Sequence, residues 1–244
     1  MRADGSPHPV RSGAGVGCAA AVELCGAQQT LWRGGAGGAV TLKLPDLRLR
    51  EGEQVCVVGP SGAGKTTLLH VLAGLLVPEA GRVLVGGIDL ARLREAERDR
   101  FRARNIGYVL QSLHLVASLS VLENVLLPLG FAGIPRRAAR ARAGELLERL
   151  ELSPLGDARP GSLSLGERQR AAIARAVACR PRLLLADEPT ASLDEARAGV
   201  AARLLREVAA ESAANLVLVT HDDRIGAGFE RVLHMVGGPE GPTR

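Results

Sequence analysis

The stretch that most constrains this chain is GPSGAGKTT at residues 59–67, set directly behind the apolar run Val55, Cys56, Val57 and Val58. Gly59, Gly62 and Gly64 leave the backbone free to turn its N–H groups inward, and Lys65, Thr66 and Thr67 follow at once. A strand that stops at such a loop and restarts as a helix presents a ring of amides and a positive helix end to an anion. The spacing GxxxxGK[ST] therefore predicts a phosphate-binding loop made by Gly59, Pro60, Ser61, Gly62, Ala63, Gly64, Lys65, Thr66 and Thr67. Lys65 is expected to reach the β- and γ-phosphates of a nucleotide, and the Thr66 hydroxyl to ligate Mg²⁺. The plainer alternative is a Gly-rich turn with a stray lysine. Against it, the chain has only two lysines, Lys43 and Lys65, among 31 basic residues.

A chain of 244 residues with 46% hydrophobic content suits one large domain or a domain with a subdomain. Aromatic residues are only 2%, so Ala, Leu and Val must fill the core. Arginine so outnumbers lysine that its counts read as compositional bias and carry no functional weight. The net charge of +5 is spread over interleaved acids and bases. The six arginines at 91–104 alternate with Glu95, Glu97 and Asp99, whereas a nucleic-acid patch needs an uninterrupted basic face with aromatic platforms, so a solvated helix is expected there and no nucleic-acid partner. Cys18, Cys25, Cys56 and Cys179 form no CxxC pair, which argues against zinc and for reduced thiols in a cytoplasmic protein. The longest apolar run, 68–77, is broken by His70 and falls well short of the ~18 residues of a membrane span. Residues 1–20 are rich in Gly, Pro, Ser and Ala without a leucine-rich segment, so they read as a disordered tail, with Cys18 not a lipidation site.

Periodicity then places the elements. Val22 and Leu24, a glycine-rich turn at 34–38, and the alternating Val40, Leu42 and Leu44 predict half-buried antiparallel strands. Trp32, the only tryptophan, is a candidate either to stack on an adenine ring or to pack beneath that hairpin. A buried strand at 53–58 and a helix at 65–76 ending before Pro78 come next, followed by a strand pair at 81–90 turning through Gly86 and Gly87. Residues 105–111 read as a strand ending in Gln111, and 112–152 as helical, chiefly over 119–129 and 135–152, with Leu146, Leu147 and Leu150 on one stripe. Two more buried strands end in Asp187–Glu188 and in His221.

Four expected strands thus end at Gly59, Gln111, Asp187 and His221. In a parallel α/β sheet ligands bind beyond the carboxyl ends of the strands, so one sheet edge would gather a phosphate loop, an amide, two carboxylates and an imidazole. That set describes a nucleotide-hydrolysis site. Asp187 is expected to hold Mg²⁺ opposite Thr66, and Glu188 to act as general base on the attacking water. His221 is expected to hydrogen-bond the γ-phosphate and hold that water.

Taken together, GPSGAGKTT, Gln111, LSLGERQ at 163–169, LLLADE at 183–188, SLD at 192–194 and His221 resemble the ATPase subunit of an ABC transporter, in order and spacing, over about residues 22–236. The resemblance implies a P-loop NTPase: a RecA-like parallel-sheet core with an N-terminal antiparallel β subdomain and an inserted helical subdomain. The expected ATPase domain is 21–236, with 21–111 and 163–236 as core, 112–162 as the helical subdomain and 237–244 as a tail. It further implies ATP and Mg²⁺ as ligands. Gln111 would touch the metal and the γ-phosphate and couple them to the helical subdomain, Asp194 would be the D-loop residue, and His221 the switch histidine. Ser164, Gly166 and Glu167 would meet the γ-phosphate of ATP held by a second ATPase subunit, so a homodimer is expected.

Ser164 with Glu167 is also an [ST]xxE capping box that starts a helix without any ligand. Leu165 departs from the family pattern, which has Gly there, so the local turn either differs or takes an ordinary conformation that accepts a β-carbon. The stretches DLARLREAERDRFRARNIGYVLQ at 89–111 and VLENVLLPL at 121–129 look like the lipoprotein-releasing, macrolide-export and cell-division branch. That implies an integral membrane permease docking near Gln111 to Leu129 and holding the chain peripherally at the cytoplasmic face of the membrane. Two alternatives stay open: a regulatory ATPase driving a cell-wall hydrolase through a membrane partner, and a soluble ATPase of the same class acting on DNA or ribosomes.

Overall fold

The computed structural model describes residues 20–32, 38–191 and 195–236. The tails at 1–19 and 237–244, most of the expected glycine turn and the SLD stretch lie outside the described residues, as does the Trp32 side chain. Among the described residues ten strands form two sheets. In the parallel sheet, β4 (Gln54–Val58), β7 (Ile106–Val109), β8 (Leu183–Asp187), β9 (Asn215–Thr220) and β10 (Arg231–His234) run in the order β10-β4-β9-β8-β7. Its neighbours pair in register, Val58 with Thr220 and Asp187 with Val219, so the strand ends finish level.

Strands β4, β8 and β9 are buried along nearly their whole length, as a sheet covered on both faces requires. Because side chains alternate across a strand, each strand feeds two cores. Val55, Val57, Leu183, Leu185, Val217 and Val219 face one core, shared with helix α1 (Lys65–Leu72) and the second sheet. Cys56, Val58, Leu184, Ala186, Leu216 and Leu218 face the other, shared with the helical half of the chain. Each of these aliphatic side chains contributes roughly 1.5–3 kcal/mol on burial, which offsets the scarcity of aromatics.

The second sheet is antiparallel, with β1 (Val22–Trp32) pairing β2 (Ala39–Lys43), β3 (Leu47–Leu49) and β5 (Ala80–Val85), and β6 (Ile88–Asp89) at its edge beside β5. The short strands expected at 22–44 and the strand pair expected at 81–90 therefore fall in this antiparallel sheet, while the strand expected at 53–58 is β4 of the parallel one.

Helix α2 (Glu95–Asn105) buries none of its side chains, in keeping with a solvated face. Helices α3 (Val121–Phe131), α4 (Arg136–Arg149), α5 (Leu165–Val177) and α6 (Glu195–Glu211) cover the other side of the parallel sheet, and a short α7 (Asp223–Gly226) follows β9. Leu146, Leu147 and Leu150 all point into that core, as their spacing requires.

Two expectations need correction. Helix α1 stops at Leu72, not at 76: Gly74 takes a left-handed φ of 65°, and the amides of Leu75 and Leu76 turn back onto the His70 carbonyl. Residues 112–120 are not helical. Leu113 and His114 both have positive φ, and the helix begins only at Val121, behind a capping box in which Ser120 and Glu123 satisfy each other's amides. The buried Asn124 fastens this loop to α3 by accepting from the Val116 amide and donating to the Val116, Leu119 and Ser120 carbonyls.

Candidate active site

The carboxyl ends of β4, β9, β8 and β7 lie side by side, so the residues that follow them share one edge. The Gly59 amide bonds the Thr220 carbonyl at 3.2 Å, and the Glu188 amide bonds the Val219 carbonyl at 3.0 Å, which ties all three strand exits together. From that edge the loop 59–64 leads into α1. Gly62 and Gly64 have φ of 81° and 92°, and Gly64 is the N-cap of α1. A β-carbon at Gly64 would also press on the Leu42 side chain of the antiparallel sheet, but it is the φ that favours glycine there. The cap has no side-chain hydrogen bond, which leaves the first amides of α1 for an anion.

Lys65 is 6% exposed, and a buried ammonium must be paired. Its Nζ donates to the carbonyls of Gly59 at 2.7 Å and Pro60 at 3.1 Å, and lies 3.2 Å from Glu188 Oε1. Glu188 itself holds a left-handed φ of 45°. Its other oxygen, Oε2, is 2.8 Å from His221 Nδ1 and accepts from the His221 amide at 3.3 Å. Lys65, Glu188 and His221 thus form a chain of contacts across the mouth of the loop.

Asp187, one residue earlier on β8, is also 6% exposed. Burial pushes its carboxyl pKa above the ordinary range, a hydrogen bond from the Thr66 hydroxyl pulls it back, and the neighbouring Glu188 charge raises it again. One hydroxyl and one carboxylate, both hard oxygen donors, fit Mg²⁺, which takes one or two carboxylates and completes its shell with phosphates and water. Among the described residues no group of three or more His, Cys, Asp or Glu side chains is placed to hold a metal alone. Beneath the site, burial and then the Glu188 charge push the Cys56 thiol pKa up to about 12, so this cysteine is an inert core residue.

The structure therefore brings Lys65, Thr66, Asp187, Glu188 and His221 together, with Pro60, Ser61, Ala63 and Thr67 in the same loop and helix start. Gln111 lies exposed just beyond β7. Ser164, Gly166 and Glu167 stand apart at the start of α5. There the Ser164 hydroxyl and amide both donate to Glu167 Oε2, at 2.8 and 2.7 Å, while the Ser164 oxygen caps the Glu167 amide. No hydrogen bond or ion pair joins this segment to the 59–67 loop among the described residues. Leu165 is the first helical residue of α5 and needs no positive φ, so its β-carbon alters nothing in the turn. Asp194 lies outside the described residues. Trp32 pairs with Ala39 at the end of the β1–β2 ladder.

Sequence reasoning missed two tethers from α5. The buried Gln169 donates to the Pro189 carbonyl at 2.8 Å, directly behind Glu188. Arg175 donates to the carbonyls of Leu113 and His114. Both bridge segments at least 20 residues apart, and the only local signal was the polar face of α5.

The profile of the ABC transporter family matches residues 42–191. The lipoprotein-releasing system ATP-binding protein LolD of Chromohalobacter salexigens is 45% identical over 214 residues, spanning 88% of this chain and 90% of that protein. The LolD of Ruegeria sp. is 43% identical over 89% of this chain and 96% of its own length. Among solved structures, the dimeric post-hydrolysis state of the ATP-binding cassette MJ0796 bound to ADP and Pi superposes with a TM-score of 0.77. It is 36% identical and covers 88% of this chain and 94% of that one.

Proposed function

Because this chain belongs to the ABC transporter family of ATP-binding subunits, we propose that it is the motor of a membrane permease, binding MgATP at the 59–67 loop and hydrolysing it with Glu188. The observation that carries the reading is the Lys65–Glu188–His221 chain of contacts at the edge where four parallel strands end. The Lys65 ammonium bonds two carbonyls and pairs with Glu188. A triphosphate offers it stronger acceptors, and its move onto the β- and γ-phosphates frees Glu188 to take a proton from water. His221, already bonded to Glu188 through Nδ1, orients that carboxylate and holds the water against the γ-phosphate. Thr66 and Asp187 would hold Mg²⁺, which when bound neutralises charge on the β- and γ-oxygens, and Gln111 is assigned to the same metal and phosphate.

The site is half complete in one chain. Ser164, Gly166 and Glu167 form a capped helix start in which the box takes up the Ser164 and Glu167 amides and leaves those of Leu165 and Gly166 to the γ-phosphate of ATP held by a second copy. Two copies packed head to tail would each close the other's site, so ATP joins the dimer and hydrolysis releases it. The dimeric MJ0796 structures support a dimer. Among the described residues no helix is long and apolar enough to cross a membrane, so association with the cytoplasmic face would run through the permease. Its docking place is assigned to the 111–129 region, where Gln111, Leu115 and Leu165 line a groove of 350 Å³. The LolD relatives favour the lipoprotein-releasing branch.

The test is steady-state ATPase with Mg²⁺ on the purified full chain and on Lys65→Ala. The reading expects turnover in the parent, and in the variant loss of nucleotide affinity by at least about a hundredfold, as for removal of a charge-assisted phosphate contact. A parent without ATPase activity, or a variant that binds ATP as the parent does, contradicts it.

A further inference from the structure

Arg175 stands in the last turn of α5 and points away from its own helix end. Its guanidinium forks onto two consecutive carbonyls, Nη1 to His114 at 2.5 Å and Nη2 to Leu113 at 2.7 Å. Those two residues carry φ of 43° and 59°, a conformation that side-chain-bearing residues avoid, and neither is Gly or Asn. Local bonds from the Leu113 amide to Leu110 and from the His114 amide to Ser112 close the turn but leave both carbonyls aimed at α5. Arg175 is half-buried and has no carboxylate against it among the described residues; burial lowers its pKa. A half-buried arginine that forgoes an acidic partner for two backbone carbonyls is held for geometry. Its planar fork fits that pair of acceptors in a way a lysine cannot.

We propose that Arg175 is a positioning residue that clamps the 113–114 turn in its strained form, fixing Gln111 two residues upstream relative to the helix that begins at Ser164. The inference rests on the hydrolytic reading of the site. Helix α5 is then a crossbar with three attachments: Ser164–Glu167 at its start facing a second copy, Gln169 on the Pro189 carbonyl behind Glu188, and Arg175 on the turn behind Gln111. Displacement of the 111–115 segment, which lines the groove assigned to the permease, is carried to the start of α5 through this fork. The phosphate loop is not attached to it, so ATP binding and ATP turnover respond differently to its loss.

The experiment compares the full-length parent, Arg175→Gln, Arg175→Lys and the triple variant Arg175→Gln/Leu113→Gly/His114→Gly, reading kcat, ATP affinity and Tm for each. Glycine takes positive φ without strain, so it lets the turn keep its shape without the clamp. Arg175→Gln is expected to lower kcat about tenfold or more with ATP affinity within about twofold, since one tenfold step matches one lost positioning contact. Arg175→Lys falls between parent and Gln, and the triple variant recovers at least about half of the lost logarithm of kcat. An unchanged kcat in Arg175→Gln overturns the proposal. So does a joint fall of kcat, ATP affinity and Tm that glycine does not reverse, which marks a merely structural arginine. If Arg175→Gln does not fold, Arg175→Lys with and without the two glycines is judged by the same outcomes. A parent with no ATPase activity fails the functional reading itself, and is told apart from failure of the clamp by that control alone.

Discussion

At the scale of single residues the site is a set of charges placed under strain. Glu188 sits at a left-handed φ that costs of the order of 1–3 kcal/mol, and the bonds of its carboxylate to Lys65 and His221 are what hold it there. Asp187 is held in a pocket that disfavours its charge. A functional carboxylate kept ionised against its surroundings destabilises the empty protein, and replacing it relieves that cost. Asp187→Asn, whose amide oxygen still accepts from Thr66, is therefore expected to raise the Tm of the nucleotide-free protein by roughly 2–4 °C, the shift that about 1 kcal/mol gives in a chain of this length. The same variant loses Mg²⁺-dependent turnover. Differential scanning calorimetry in a chelator checks the first part, and a lowered Tm would contradict it. These residues were legible because each stands beside an apolar run that announces a buried strand. The left-handed Glu188 was not, since nothing in DEPT signals a positive φ on a glutamate.

At the scale of elements, one helix start was readable, while another start and one helix end were not. Ser164 precedes a glutamate by three residues and forms the capping box that spacing promises, whereas the start of α3 at the Ser120–Glu123 box was passed over and helix expected through 112–120. The end of α1 was set four residues too late, because its apolar pattern runs on past Gly74 and only the left-handed glycine stops it. Arg175 and Gln169 escaped notice for a related reason: a side chain that bonds a carbonyl 61 or 20 residues away leaves no trace in local spacing. The α5 cap also makes a pH prediction. Hydrogen bonds from the Ser164 side chain and amide hold the Glu167 pKa below its usual 4.5. A depressed acid stabilises the folded state above its unfolded pKa, and that contribution is lost as pH falls through the folded value. Ser164→Ala is expected to lower Tm by roughly 2–4 °C near neutrality, and the gap to the parent should narrow as pH drops below about 4.5. A gap that stays constant with pH would show that the Ser164–Glu167 bonds do not shift the Glu167 titration.

At the scale of the whole molecule, the two-sided burial of the parallel sheet decides the layout. Odd-numbered residues of β4, β8 and β9 serve the core under α1 and the antiparallel sheet, and even-numbered residues of β4, β8 and β9 serve the core under α3 to α6. Every strand that ends in a site residue is thereby fixed from both faces, so the site rests on the stiffest part of the fold. The apolar runs foretold these strands and their shared edge. The order β10-β4-β9-β8-β7 was not readable, because register and neighbour choice are set by contacts far apart in sequence. In the proposed function one chain leaves the γ-phosphate side of the loop to be closed by Ser164 to Glu167 of a second copy. The most direct measurement of that claim is analytical ultracentrifugation of Glu188→Gln with and without MgATP, alongside its turnover. The account predicts ATP bound as in the parent, hydrolysis slowed at least about a hundredfold as expected for loss of a general base, and a stable dimer that forms only with ATP. A variant that hydrolyses ATP at the parent's rate, or that stays monomeric with ATP bound, would contradict it.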